Sequence, residues 1–170
     1  MSSKKRRALL ICHSRTGNSL RLCEKTAEIL REGGVEAKII RIRPAFGIPY
    51  PGWLFLSLFP TMKFPIKQIG EDMRGFDLAL LFLPKWTMAN PVVNKFISRA
   101  TFKFPPTGVI VSYGGWRGES FLHSVKASLW MRGIKVLGGI LVKRSEKDQE
   151  EGKIREFLGS VLPDAFPKRP

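Results

Sequence analysis

The 170-residue chain is 44% hydrophobic and 25% charged, a balance that supports one globular domain spanning 1–170 and excludes disordered and fibrous classes. No apolar run approaches the roughly 20 residues that cross a bilayer, and the basic start, Met1 to Arg7, lacks a separate secretory apolar region, so the expected location is the cytoplasm. A formal net charge of +15 implies attraction to polyanions or acidic surfaces.

Residues 8–13, Ala-Leu-Leu-Ile-Cys-His, form an apolar run that reads as a buried first strand. The loop Ser14-Arg15-Thr16-Gly17-Asn18-Ser19 follows and opens a helix predicted over 18–32. Amide N–H groups at a helix start have no intrahelical partner, and the helix dipole favours negative charge there. The hydroxyls of Ser14, Thr16 and Ser19 add donors, and Gly17 lets backbone approach a ligand closely. Together they suit a phosphate; an ordinary strand-to-helix turn with Ser and Asn caps is the alternative. The loop lacks the Gly-x-x-x-x-Gly-Lys of nucleoside-triphosphate sites. Cys12 has Asn18 six positions on, where a cysteine phosphatase would need Arg. The helix places Leu20, Cys23, Ala27 and Leu30 at core spacing and ends at Gly33-Gly34. Cys12 and Cys23 read as reduced packing residues.

A second strand is predicted over 36–42. Residues 44–75 then form an irregular insertion in which Phe46, Tyr50, Trp53, Phe55, Phe59 and Phe64 alternate with five prolines. Proline at that density forbids a long helix, leaving room for a short one over 53–59. Strands are predicted over 78–83, 108–112 and 135–142, and helices over 91–98, 119–132 and 146–162, the last opened by a capping-box spacing at Ser145 and Asp148. Strand and helix alternate five times, which predicts an α/β fold: a three-layer, doubly wound, five-stranded parallel sheet. No His, Cys, Asp and Glu cluster has metal-ligand spacing, and no nucleophile or acid–base pair marks a catalytic residue. His13 precedes the phosphate loop and either touches the phosphate, lies beneath it, or serves as a cap.

Ser14, Thr16, Gly17 and Asn18, with Ser19 in the final hydroxyl position, resemble the phosphate loop of the flavodoxin family. Three further stretches are similar to that family: Gly75-Phe76-Asp77-Leu78, then Pro84-Lys85-Trp86-Thr87 with Asn90-Pro91, then Ser112-Tyr113-Gly114-Gly115-Trp116. The 44–75 insertion loosely resembles the dialkylresorcinol-condensing-enzyme-like branch of flavodoxin-fold proteins. The resemblance implies strand order 2-1-3-4-5 and FMN as cofactor, held at strands 1 and 3. It implies that residues 14–19 hold the phosphate. Pro84, Lys85, Trp86, Thr87, Asn90, Tyr113, Gly114, Gly115 and Trp116 then flank the isoalloxazine.

The implied function is an FMN-binding redox flavoprotein that passes electrons or a hydride to a small acceptor such as a quinone. An FMN-dependent NAD(P)H oxidoreductase is the favoured form, with an electron carrier left open. The alternative is a flavin-free protein of the same fold: an anion-binding module at a membrane surface or nucleic acid, or a condensing-type enzyme. The positive charge departs from acidic electron-carrier flavodoxins and suits an acidic redox partner. Dispersed basic residues disfavour nucleic acid. The insertion reads as a lid, a homodimer contact, or a patch peripheral to an anionic membrane, because an apolar area of that size stays uncovered on few soluble monomers.

Overall fold

In the computed structural model, residues 5–69, 73–100 and 103–166 are described; Met1–Lys4 of the basic start and residues 70–72 of the insertion lie outside them. Five strands, β1 (Arg7–Cys12), β2 (Glu36–Arg41), β3 (Leu78–Pro84), β4 (Thr107–Tyr113) and β5 (Val136–Lys143), form one parallel sheet in the order β2-β1-β3-β4-β5. This is the flavodoxin-like order. The three inner strands are buried on both faces, as their unbroken apolar runs require.

Side chains alternate along each strand, so each strand feeds two cores. Ala8, Leu10 and Cys12 join Leu78, Leu80 and Phe82 beneath α1 (Asn18–Glu32) and α5 (Glu150–Val161). Leu9, Ile11, Leu81, Val109 and Val111 face the opposite way, with α3 (Pro91–Arg99) and α4 (Gly118–Met131). Cys12 and Cys23 are buried in the first core, and the hydrogen bond that the Cys23 thiol donates to Cys12, together with burial, pushes the Cys23 thiol up. The α1 and α5 helices are tied by Arg21, whose guanidinium donates twice at 2.6 Å to the buried Glu150 carboxylate.

Two local expectations are corrected. The last helix opens with a short 3-10 turn, Lys147–Gln149, and α5 starts only at Glu150 with no side-chain cap, so Ser145 and Asp148 do not form a capping box. The insertion's helix, α2, runs Tyr50–Leu56 and not 53–59. Pro49 precedes it with extended backbone and Pro51 sits in its first turn, where proline's missing N–H is harmless. The insertion is closed at its neck. Pro44 bridges Ile66 in antiparallel fashion, Ala45 N–H donates to Pro65 O, and Lys67 N–H donates to Arg43 O. Trp53 and Phe64 pack at 4.5 Å and anchor it to the core. Among the described residues no helix is long and apolar enough to cross a membrane.

Candidate functional site

The strand order reverses between β1 and β3, because α1 leaves for one face and α3 for the other. A crevice therefore opens at the carboxyl ends of these strands, where ligands bind in sheets of this kind. Three loops meet there.

The first loop joins β1 to α1. Gly17 takes φ 87°, a left-handed conformation that glycine adopts at no steric cost. Ser14 Oγ accepts from Gly17 N–H at 3.0 Å, and Thr16 Oγ1 accepts from the Asn18 side-chain amide at 3.1 Å. Both hydroxyls act as acceptors in these bonds, so their own hydrogens stay free to donate. No side chain caps the first turn of α1, which leaves its N-terminal amides and dipole toward the loop. Ser19 is 1% exposed and its Oγ has no partner. Arg15 turns away from the loop's centre, and its guanidinium lies 4.7 Å from the centroid of the Tyr50 ring in α2.

His13 lies directly before this loop and is also buried. Its Nδ1–H donates to Ile42 O at 3.2 Å, so the neutral ring presents Nε2 as a bare acceptor, and Nε2 has no partner. Burial pulls its pKa down to about 4 against the smaller upward effect of the Ile42 bond. His13 and Ser19 are thus two unsatisfied buried polar groups at the end of one strand and the start of the next helix. An orphaned buried polar atom costs about 1–3 kcal/mol, and such atoms cluster where a ligand completes the structure.

The second loop follows β3. Pro84 ends the strand, and Lys85 N–H donates to Ser112 O at 2.9 Å. Asn90 is fully buried and caps α3. Its side-chain oxygen accepts from Val93 N–H at 3.3 Å and its amide donates to Pro84 O at 3.2 Å, so both ends are used inside the loop. Thr87 Oγ1 sits 2.6 Å from Ser57 Oγ, and the Met88 and Ala89 amides donate to Ser57 O. The insertion is thereby fastened onto the second loop. Trp86 is drawn inward, with its ring 5.5 Å from both His13 and Trp53.

The third loop follows β4. Tyr113 packs beneath the start of α4, where a Cβ on Gly118 would lie 2.8 Å from Tyr113 Cδ2. Gly115 has φ 112° and Arg117 has φ 47°, a left-handed conformation that is uncommon outside glycine. Trp116 projects outward, 59% exposed, with Lys85 Nζ at 4.8 Å and the Arg117 guanidinium at 5.4 Å from its ring centroid. A Cβ on Gly114 would meet Arg144 at 2.9 Å, so this loop also touches the end of β5. The Lys85 side chain is buried and donates to Thr87 O at 2.9 Å. Burial, then Arg117 and Arg144, lower its pKa. Cations therefore gather beside the crevice, and none of Lys85, Arg117 and Arg144 has a carboxylate partner among the described residues.

The fold thus gathers all three loops expected from the sequence. It separates the two tryptophans expected to act alike: Trp86, half-buried, packs against the core, and Trp116 projects from the surface. Sequence reasoning did not single out Arg144, Ser57 or the role of Tyr50. Arg144 immediately follows a strand's carboxyl end, and that position was the available signal. Among the described residues no group of three or more His, Cys, Asp and Glu could hold a metal ion.

The chain belongs to one family with an uncharacterised protein of Archaeoglobus fulgidus: the two are 31% identical over 147 residues, 86% of this chain and 93% of that protein. No family model matches the chain. Its fold is similar to that of a candidate flavoprotein of Bacteroides eggerthii, with a TM-score of 0.72 and 21% identity over 91% of this chain and 97% of that one. It is also similar to a flavoprotein of Lactobacillus acidophilus solved in complex with FMN, with a TM-score of 0.65 and 13% identity over 86% of this chain and 99% of that one.

Proposed function

We propose that this chain is an FMN-binding redox protein. The observation that carries the reading is the pair of buried, unsatisfied polar atoms at the first loop. Ser19 Oγ can donate to an anion, whereas His13 Nε2 can only accept, and so wants a hydroxyl. A ribityl phosphate offers both, an oxyanion and a row of hydroxyls. The uncapped start of α1 and the free hydrogens of Ser14 and Thr16 supply further donors for the phosphate. The similarity to a flavoprotein solved with FMN supports the same cofactor.

When bound, the flavin supplies the redox chemistry; the protein supplies binding, orientation and electrostatics. Residues 14–19 would hold the phosphate end. Trp116 offers an open aromatic face for the ring system, and Lys85, Arg117 and Arg144 would favour negative charge beside it. Trp86, backed by the buried Trp53, would wall the crevice on the insertion side. We assign hydride or electron transfer to a small acceptor such as a quinone, with a nicotinamide nucleotide or an acidic donor protein suited to the basic surface. Calorimetric titration with FMN and with riboflavin tests the reading. FMN should bind at least roughly tenfold more tightly, because only it engages the phosphate loop. Equal affinity for the two would remove the phosphate-loop assignment, and no binding of either would favour the flavin-free alternative.

A further inference from the structure

The α3 and α4 side of the molecule differs from the α1 and α5 side in charge and in exposed apolar surface. Helices α1 and α5 each carry three glutamates, whereas α3 has no carboxylate, α4 has only Glu119, and residues 44–69 have none. The ion pairs follow this division. Arg21, Lys25 and Arg155 bind glutamates within the α1 and α5 pair, while Lys63, Arg99 and Arg132 are exposed and in no ion pair among the described residues.

Exposed apolar side chains lie on the same side. In the insertion, Phe55 is 60%, Leu58 52% and Phe59 45% exposed, with the two phenyl rings 5.4 Å apart. The chain then runs through Pro60 and Lys63 along α3, where Asn94 donates to the carbonyls of Pro60 and Met62. There it borders a groove of about 600 Å³ whose far wall is Met131 and Arg132 at the end of α4. Met131 is 77% exposed. An apolar crest fastened to α3 beside the cations Lys63 and Arg132 suits an apolar phase beneath an anionic surface.

We infer that this face docks on an anionic lipid bilayer, with Phe55, Leu58 and Phe59 entering the interface and Lys63, Arg99 and Arg132 meeting lipid phosphates. A second copy of the chain is a poor occupant, since it would bring one basic face against another at a net charge of +15 each. Nucleic acid would satisfy the cations but leave Leu58 and Met131 in water. The inference does not depend on the flavin.

The test is co-sedimentation of the full chain with vesicles of phosphatidylcholine alone or mixed with phosphatidylglycerol. The chain should partition onto the mixed vesicles and stay off the neutral ones. The double variant F55S/F59S should lower that partition at least roughly tenfold, because it removes two interfacial rings. Lys63→Glu with Arg99→Glu should lower it comparably by reversing two contacts. All four positions are exposed or in the insertion's surface, and unchanged circular dichroism serves as the check on folding. No partition onto the mixed vesicles overturns the inference. Partition that F55S/F59S leaves unchanged overturns it too, because simple charge attraction would then explain the binding. A dimer in light scattering that F55S/F59S dissolves would instead make a second copy the occupant.

Discussion

Replacing Ser19 with Ala separates a ligand-binding hydroxyl from a structural one, because the two roles give effects of opposite sign. In the flavin-free protein, Ser19 Oγ is buried without a partner, so its removal relieves a desolvation cost of about 1–2 kcal/mol. Alanine's better helix propensity adds up to ~0.5 kcal/mol. For a chain of this size the change should raise the Tm by roughly 3–8 °C. With FMN present the same substitution removes a hydrogen bond to a charged oxygen. That loss is worth about 1.5–3 kcal/mol and should weaken binding roughly 10- to 100-fold. Thermal melts of the apo protein and calorimetric titration with FMN give the two numbers. Ser128→Ala is the control, since the Ser128 hydroxyl donates to Ser124 O within α4 at 2.9 Å and reports propensity without the orphaned group. Should Ser19→Ala lower the apo Tm, or leave FMN affinity within about twofold of the parent, the hydroxyl does not face a phosphate and the reasoning fails.

The remaining predictions concern His13 and the two tryptophans. His13 has a folded pKa of about 4 against 6.5 in the unfolded chain, so the unfolded state takes up the proton first. Its contribution to stability is complete above pH 6.5 and is lost as pH falls toward 4, by about 3 kcal/mol in all. Urea unfolding across this range should show that slope, and His13→Gln should flatten it; a parent protein equally stable at pH 7 and pH 4.5 would contradict the buried neutral ring. Trp86→Ala should cost about 2–3 kcal/mol, because Trp86 packs against His13 and Trp53, whereas Trp116→Ala should cost less than about 0.5 kcal/mol. Fluorescence of bound FMN should rise more for Trp116→Ala than for Trp86→Ala, and the reverse order would show that the second loop rearranges to bring Trp86 onto the ring.

Much of the architecture was legible because it depends on local pattern. Almost continuous apolar runs at 8–13, 78–83 and 108–112 read as strands covered on both faces, and amphipathic spacing between them points to parallel crossovers. Hydroxyl and glycine residues at 14–19 marked the loop because chain order alone puts them between a buried strand and a helix. What could not be read is what depends on three-dimensional neighbours. Trp86 and Trp116 both follow closely on the carboxyl ends of their strands, two residues after Pro84 and three after Tyr113. One is captured by His13 and Trp53, from segments far apart in the chain, and the other finds only Lys85 and Arg117. The short helix was displaced by three residues because Pro49 and Pro51 favour a helix start at Tyr50, an effect of proline inside the first turn that outweighs the aromatic pattern.

The net charge shows most clearly why a total is less informative than a placement. Summed over the chain, +15 describes a surface that is basic everywhere, and it suggests an acidic partner without saying which side meets it. Folding divides the charge unevenly. The α1 and α5 side neutralises its cations internally, through pairs such as Arg21 with Glu150 and Arg155 with Glu32. The exposed pairs, such as Arg155 with Glu32, contribute little each to stability, on the order of 0–1 kcal/mol where water screens them, whereas Arg21 satisfies a buried Glu150 carboxylate; all of them consume charge that would otherwise steer partners. Two sets of cations in no ion pair among the described residues stand out. Lys85, Arg117 and Arg144 border the crevice, where an anionic ligand is expected, and Lys63 and Arg132 line the groove beside the apolar crest. The insertion is structurally joined to both, since Tyr50 meets Arg15 of the first loop and Ser57 holds Thr87, while Phe55 and Phe59 lie exposed on the α3 side. A surface that holds the crest would therefore hold the crevice close to it, and that proximity is what a lipid-soluble acceptor requires.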